Sequence, residues 1–83
     1  MTMPYEKVHV YARSHRGTIV PLQFIWRQQR FDVYEILDIQ KRTLPQKQGF
    51  VFKVTTLPRG TFILEFDFSR NEWYLWLDEN GVF

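Results

Sequence analysis

Apolar residues alternate with polar ones along most of this chain, and this period of two constrains its fold more than any other feature. The clearest case is the segment 62–68, in which every second residue is a large apolar one: Phe62, Leu64, Phe66 and Phe68. Segments 7–13, 22–27, 50–55 and 73–77 repeat the alternation. Successive side chains of a β-strand point to opposite faces, so the pattern predicts strands that bury one face. Because helical periodicity is nearly absent, we predict an all-β fold.

Short polar segments separate these strands and predict tight connections between them. These segments cover residues 14–17, 27–30, 43–48, 57–60 and 69–72. Five or six short strands joined in this way describe a small antiparallel barrel or a strongly bent sheet. The apolar faces of the strands predict the following core: Phe24, Trp26, Val33, Phe50, Phe52, Phe62, Leu64, Phe66, Trp73 and Leu75.

The segment 31–42 fits two kinds of secondary structure. As a strand it places Phe31 and Val33 on one face, but the adjacent pair Ile36-Leu37 breaks the alternation and requires a bulge or a sharp bend. As a helix it would have Asp32 as its N-cap, with a glutamate three residues later. We favour the strand because the surrounding segments are all β, and a short helix over 32–42 stays open as the alternative.

Length and composition narrow the class of protein. A chain of 83 residues has room for one core, so we predict a single domain over residues 1–83. It has no cysteine, which excludes disulfides, thiolate metal sites and cysteine nucleophiles. No apolar run approaches the roughly 18 to 20 residues of a membrane helix, and residues 1–6 lack a secretory layout. We therefore expect a cytoplasmic protein that does not enter a membrane.

Side chains that could carry chemistry are few, and their arrangement predicts no active site. His9 lies on the face of its strand opposite the core, and His15 is next to Ser14 in a predicted turn, which is not the geometry of a catalytic triad. Glu65 and Asp67 point the same way, but we expect them to be ordinary exposed carboxylates of a strand. A metal would need three or four convergent ligands. We predict a non-enzymatic protein without a metal or a small-molecule cofactor.

Charge is distributed unevenly along the chain. Residues 1–60 hold ten of the eleven Lys and Arg residues against four acids, a balance of +6. The last 23 residues hold one base against five acids, a balance of −4. A polyanion would favour the first part and be repelled by the second. The alternative explanation is that neighbouring strands pair opposite charges across the sheet.

One functional hypothesis is nucleic-acid binding. Cations hold phosphates and exposed rings stack on bases, and the alternation places Tyr11, Tyr74 and Trp76 on the face opposite the core. The candidate contact residues are basic residues in or near the predicted turns, together with one of these rings: Arg13, Arg16, Arg27, Arg30, Lys41, Arg42 and Trp76.

The second hypothesis, which we prefer, is a protein partner or a homodimer. An open sheet of this size leaves backbone N–H and C=O groups unpaired at its edges, and a strand from a second chain would pair with them. The two hypotheses predict different salt dependence, because counterion release makes nucleic-acid binding weaken steeply with salt. The sequence does not identify the partner.

Three groups of residues follow one another between positions 20 and 77. They are Phe24-x-Trp26-Arg27, then Val33-x-Glu35-Ile36-Leu37, then Glu65-Phe66-Asp67 with Trp73-Tyr74-Leu75. In this order they resemble an uncharacterised bacterial family of short domains. The chain departs from the family pattern at Gln28-Gln29, where a Gly is common, and lacks a Trp soon after Leu37. The resemblance implies a β fold and carries over no activity and no catalytic residue.

Overall fold

A computed structural model describes residues 4–77, which form a closed barrel of six antiparallel strands. Each strand pairs with the next along the chain, and the last pairs with the first. The strands are β1 (Tyr5–His15), β2 (Thr18–Trp26), β3 (Gln29–Leu44), β4 (Lys47–Leu57), β5 (Gly60–Asp67) and β6 (Glu72–Trp76). The predicted all-β fold and small antiparallel barrel are confirmed. No helix long and apolar enough to cross a membrane occurs in residues 4–77.

The segment 31–42 is part of β3, so the strand interpretation is correct and the alternative helix is not. The register between β3 and β4 shifts between Val33 and Glu35 and again between Ile36 and Asp38. The extra residue of the second shift is Leu37, at the position where the adjacent apolar pair demanded a bulge. Each bulge adds one unpaired residue and bends the strand. The bulges therefore return the next apolar residue to the inner face.

Aromatic and branched side chains fill the barrel. The buried cluster consists of Phe24, Phe31, Phe52, Val54, Leu64, Phe66, Trp73 and Leu75. All ten predicted core residues belong to this cluster or pack against it, which confirms the predicted faces. Phe24 stacks on Phe31 with ring centroids 5.2 Å apart, and Phe62 packs edge-on against both. Because each buried aromatic residue removes about 150 to 250 Å² from water, these rings stabilise a small chain that has no disulfide.

The predicted alternation is wrong at Leu22. The pattern puts this residue on the same face as Phe24, but its side chain is 45% exposed. Tyr11 pairs with Gln23 while the next residue of β1 pairs with Pro21, so Leu22 is the extra residue of a bulge. Pro21 takes the inward position instead and is fully buried.

The hairpin turns are shorter than the polar segments of the sequence. The β2–β3 turn consists of Arg27 and Gln28, with φ angles of 50° and 66°, and the β1–β2 turn consists of Arg16 and Gly17, at 51° and 78°. Positive φ at both central residues is the geometry of a type I′ turn, whose twist matches that of the two strands it joins. Three of these four residues are not glycine, so the hairpins form in spite of an unfavourable local conformation.

Gly49 marks a close approach between β4 and β5. A Cβ added at this position would overlap the backbone carbonyl of Phe66, so only glycine fits. The register continues across this point from Arg42 through Gly49 to Asp67. The absence of a side chain here brings the end of the β3–β4 hairpin close to the outer surface of β5.

Candidate functional site

β3 is the longest strand, and most of it pairs along one edge only. It has 16 residues, of which β2 pairs with Gln29 to Asp32. β4 pairs with the other edge as far as Leu44. Within residues 4–77, no strand pairs with the β2-facing edge of β3 from Val33 to Leu44. We call this stretch the β3 edge.

Large apolar side chains are exposed along the β3 edge. Tyr34 is 73% exposed, Leu44 is 54% exposed, and Leu37 and Ile39 are 47% and 44% exposed. These are four of the eight large exposed hydrophobic residues in the described part of the chain, and they lie on one strand. Scattered single hydrophobic residues are normal on a protein surface, whereas a concentration of them marks an interaction site.

The backbone of the β3 edge offers hydrogen-bonding groups to an incoming strand. The N–H of Ile39 donates to the Asp38 carboxylate at 2.8 Å, although Ile39 lies opposite Phe52 in the ladder. This N–H therefore points away from β4. Alternate residues of an antiparallel strand direct their backbone groups to the same side, so Lys41 and Thr43 also present theirs at the β3 edge. The pairing with β4 is regular from Asp38 to Leu44.

Charge changes sign along β3. After the Arg30–Asp32 ion pair, the acidic residues Glu35 and Asp38 precede the basic residues Lys41 and Arg42. Within residues 4–77, neither Asp38 nor Arg42 belongs to an ion pair. Asp38 directs its carboxylate to the β3 edge even though a lysine lies across from it in β4. On the outer face of its regular portion the edge therefore carries one charge of each sign without an ion-pair partner in the described residues, Asp38 and Arg42, while Lys41 lies on the other face, opposite Phe50.

The seven residues predicted for nucleic-acid binding are spread over separate parts of the barrel. Arg13 and Arg16 lie at the β1–β2 hairpin, and Arg27 and Arg30 lie at the β2–β3 hairpin, at the other end of β2. Lys41 is on the β3 edge. The last two residues, Arg42 and Trp76, are brought together.

Three of these basic side chains already have partners within the protein. The guanidinium of Arg27 lies 4.5 Å from the centre of the Trp26 ring, and Arg30 pairs with Asp32 at 3.3 Å. Arg42 lies 5.5 Å from the centre of the Trp76 ring on the outer face. One contact of this kind does not form a continuous basic groove, so nucleic-acid binding stays a prediction.

A buried carboxylate on the outer face was missed by sequence reasoning. Glu65 was expected to be exposed, but it is only 4% exposed. It accepts a hydrogen bond from the Trp76 indole at 2.9 Å and pairs with the Lys47 ammonium at 3.0 Å. Lys47 also lies 5.2 Å from the centre of the Tyr5 ring. The end of the β3–β4 hairpin covers this part of β5, and the local sequence contains no signal for that long-range contact.

Asp67, the other carboxylate of β5, is also buried rather than exposed. Burial raises its pKa, but hydrogen bonds from the Ser69 hydroxyl and from the backbone N–H groups of Ser69 and Arg70 outweigh that effect, so the pKa lies below its ordinary value. The ionised carboxylate stabilises the β5–β6 turn. Asp67 and Glu65 therefore both serve structural contacts of β5, Asp67 with the β5–β6 turn and Glu65 with Lys47 and Trp76.

The histidine, the possible metal ligands and the groove of the described residues are weak candidates for a catalytic or ligand-binding site. His9 is exposed and packs edge-on against Tyr11, with ring centroids 4.8 Å apart. No group of three or more His, Asp or Glu side chains within residues 4–77 could hold a metal ion. A groove of about 390 Å³ lies beside β1 above its pairing with β6, with an apolar floor that includes Phe66 and Trp73. Lys7 and Glu72 on its rim pair with each other at 3.4 Å, so they do not offer a free charge to a ligand.

Comparisons with known proteins give no information about the function of this site. No protein-family model matches the chain, and no match was found among curated proteins or solved structures. The resemblance to an uncharacterised bacterial family therefore stays a prediction.

Proposed function

We propose that this protein is a non-enzymatic binding module that recognises another polypeptide by strand addition at the β3 edge. The observation that carries the proposal is the length of β3 left without a partner strand from Val33 to Leu44 in the described part of the chain. Edge strands of this kind are templates for pairing, because an incoming strand satisfies their backbone groups.

The side chains of the β3 edge support the same function. In strand addition, backbone hydrogen bonds supply affinity and alternate side chains supply specificity. Leu37, Ile39 and Leu44 offer apolar surface for that second role. The charged residues at Asp38 and Arg42 would select the register and direction of the partner strand.

Ile39→Pro is the variant that tests the edge most directly. Because the N–H of Ile39 donates to Asp38 and not to β4, a proline at this position removes a donor from the free edge and none from the ladder. Ile39→Val is the matched control, since it keeps the N–H and a branched apolar side chain. Thermal melts of both variants establish that the barrel is intact.

The assay begins with a library of short peptides of random sequence, selected on the wild-type protein. We expect selected peptides to bind the wild type and Ile39→Val alike, to lose binding to Ile39→Pro, and to slow amide hydrogen exchange at Ile39, Lys41 and Thr43. Peptides that bind Ile39→Pro as tightly as the wild type would refute the proposal.

Nucleic-acid binding is a distinguishable outcome of the same experiments. Labelled oligonucleotides are titrated by fluorescence anisotropy at low and at physiological salt. Binding that weakens steeply with salt, is lost in Arg42→Ala and is unchanged in Ile39→Pro would favour the nucleic-acid hypothesis instead.

A further inference from the structure

We infer that the strand added to the β3 edge is β3 of a second copy of this chain, in antiparallel register about a two-fold axis at Gln40. The inference rests on the proposed function, and it names the partner. In this register Asp38 of each copy faces Arg42 of the other, so the acid and the base on the outer face of the regular edge, which have no ion-pair partner in the described residues, form two identical pairs about the axis.

The order of charges along β3 is the first argument. An antiparallel pair reverses one strand relative to the other, so a strand that is acidic in its first half and basic in its second is complementary to itself. Glu35 and Asp38 precede Lys41 and Arg42, which is this order. A strand of another protein would have this order of charges only by coincidence, whereas β3 of a second copy has the same sequence and therefore the same order.

Backbone geometry is the second argument. Residues that exchange backbone hydrogen bonds must both direct their N–H groups to the free edge, and the Ile39 N–H does so. With Gln40 at the two-fold axis, Ile39 of each copy lies opposite Lys41 of the other, and both residues have the required orientation. Asp38 and Arg42 then form the non-hydrogen-bonded pairs, in which side chains approach most closely.

Side-chain direction agrees with this register. Asp38, Gln40 and Arg42 lie opposite Lys53, Val51 and Gly49 of β4, so all three point to the outer face of the sheet. Directly opposed residues in an antiparallel pair share a face, so Asp38 and Arg42 of the two copies meet on the same side.

Neighbouring registers are less favourable. An axis at Lys41 would place two lysines directly opposite each other, and like charges in that position are destabilising. An axis at Ile39 would place Asp38 opposite Gln40 and leave Arg42 opposite Ile36, so neither charge would find a partner. The axis at Gln40 is therefore the register that the charges of the regular segment select.

Pairing changes what the Asp38 carboxylate does. In the single chain it accepts the Ile39 N–H at 2.8 Å and so covers one donor of the edge. In the dimer that N–H donates to the backbone carbonyl of Lys41 of the second copy, and the carboxylate is released to Arg42. To reach this carboxylate the guanidinium of Arg42 leaves the Trp76 ring, which lies beyond β4 from the β3 edge.

The first test exchanges charges and follows sedimentation velocity of the full chain over a concentration series. Asp38→Arg and Arg42→Asp each place like charges opposite each other in two pairs, and we expect each to weaken the dimer roughly tenfold or more. An equimolar mixture of the two variants has complementary charges in both pairs. We expect the mixture to form dimers at concentrations at which each variant alone is monomeric.

A second pair of variants keeps the inference testable if Arg42→Asp fails to fold. Gln40 is exposed and lies opposite itself at the axis. We expect Gln40→Lys and Gln40→Glu each to weaken the dimer and a mixture of the two to restore it. Melting of each variant, measured by circular dichroism, shows whether it is folded.

The outcomes separate this inference from the proposed function. A wild type that is monomeric up to its solubility limit overturns the second-copy inference, and so does a mixture that dimerises no better than its components. If peptides still bind and lose their binding in Ile39→Pro, the proposed function stands while the inference fails. If the wild type dimerises and Ile39→Pro abolishes the dimer, both stand.

Discussion

The buried ion pair on the outer face gives the sharpest prediction about stability. The perturbation is Lys47→Met, which removes the ammonium and keeps a side chain of similar length beside Tyr5. The Glu65 side chain is 5% exposed and that of Lys47 is 37% exposed. Removing Lys47 therefore leaves a nearly buried carboxylate with the Trp76 indole as its remaining hydrogen-bond partner in the described residues.

The loss in free energy of unfolding that we expect for Lys47→Met lies between two limits. Breaking a fully buried ion pair by removing one partner costs about 3 to 5 kcal/mol, whereas an exposed pair is worth about 0 to 1 kcal/mol. Because solvent reaches Lys47 and screens this pair, we expect Lys47→Met to lower the free energy of unfolding by about 1 to 3 kcal/mol. For a chain of this size the melting temperature falls by about 4 to 8 °C for each kcal/mol.

A double-mutant cycle isolates the charge from the packing. Glu65→Gln removes the buried charge and keeps an acceptor for the Trp76 indole. In the Glu65→Gln background, Lys47→Met no longer leaves a buried carboxylate without its cation. We therefore expect the loss in free energy of unfolding to be less than half of the loss in the wild type. The assay is chemical denaturation of all four proteins by circular dichroism.

An exposed pair of the same kind serves as the control. The side chains of Lys7 and Glu72 lie 3.4 Å apart and are 67% and 30% exposed. Lys7→Met should change stability by no more than about 1 kcal/mol. Equal losses of stability from Lys47→Met in both backgrounds, or a loss no larger than that of Lys7→Met, would show that the Glu65 carboxylate does not depend on Lys47.

Three further predictions concern the core, a turn and acid stability. Phe66→Ala should lower the free energy of unfolding in urea by about 3 to 5 kcal/mol, because Phe66 belongs to the buried cluster; unchanged melting would contradict the assigned inner face. Gln28→Gly should raise the melting temperature through a gain of about 1 kcal/mol, since Gln28 has a φ of 66°; a lower melting temperature would contradict the turn geometry. Asp67 has a lowered pKa, so its contribution is fully present above the pKa of the unfolded state and is lost as the pH falls through the folded-state value. Asp67→Asn should therefore be less stable than the wild type at neutral pH, and unfolding measured from pH 7 into strong acid should show the gap closing; a gap that stays constant would contradict this role.

Much of the charge asymmetry in the sequence has a structural explanation. Lys7 pairs with Glu72, and Lys47 pairs with Glu65, so bases of the first part of the chain meet acids of the last part on neighbouring strands. This is the cross-strand pairing that the sequence offered as the alternative to a polyanion site. The asymmetry therefore arises in part from pairing between neighbouring strands, of which β1 and β6 become neighbours when the barrel closes.

The alternation of apolar and polar residues predicted the strands, their inner faces and the need for an irregularity at Ile36-Leu37. These properties depend on side chains that alternate between two faces within one strand, which is local information. The prediction from alternation is wrong at Leu22, because a bulge between β1 and β2 turns the side chain of this residue to the other face of the strand. The sequence of β2 keeps its alternation through this point and does not reveal the bulge. A bulge depends on how two strands pair, whereas the alternation of side chains describes one strand alone.

Which edge stays open and which charges are buried depend on contacts between strands of the folded barrel. The length of β3 without a partner depends on where β2 stops pairing, and the burial of Glu65 depends on a lysine 18 positions earlier in the chain. Register and closure are set by contacts between residues far apart in sequence, and two strands with the same alternation can pair in several registers. For this reason the sequence predicted a binding protein with a sheet edge, whereas the structure located that edge on β3.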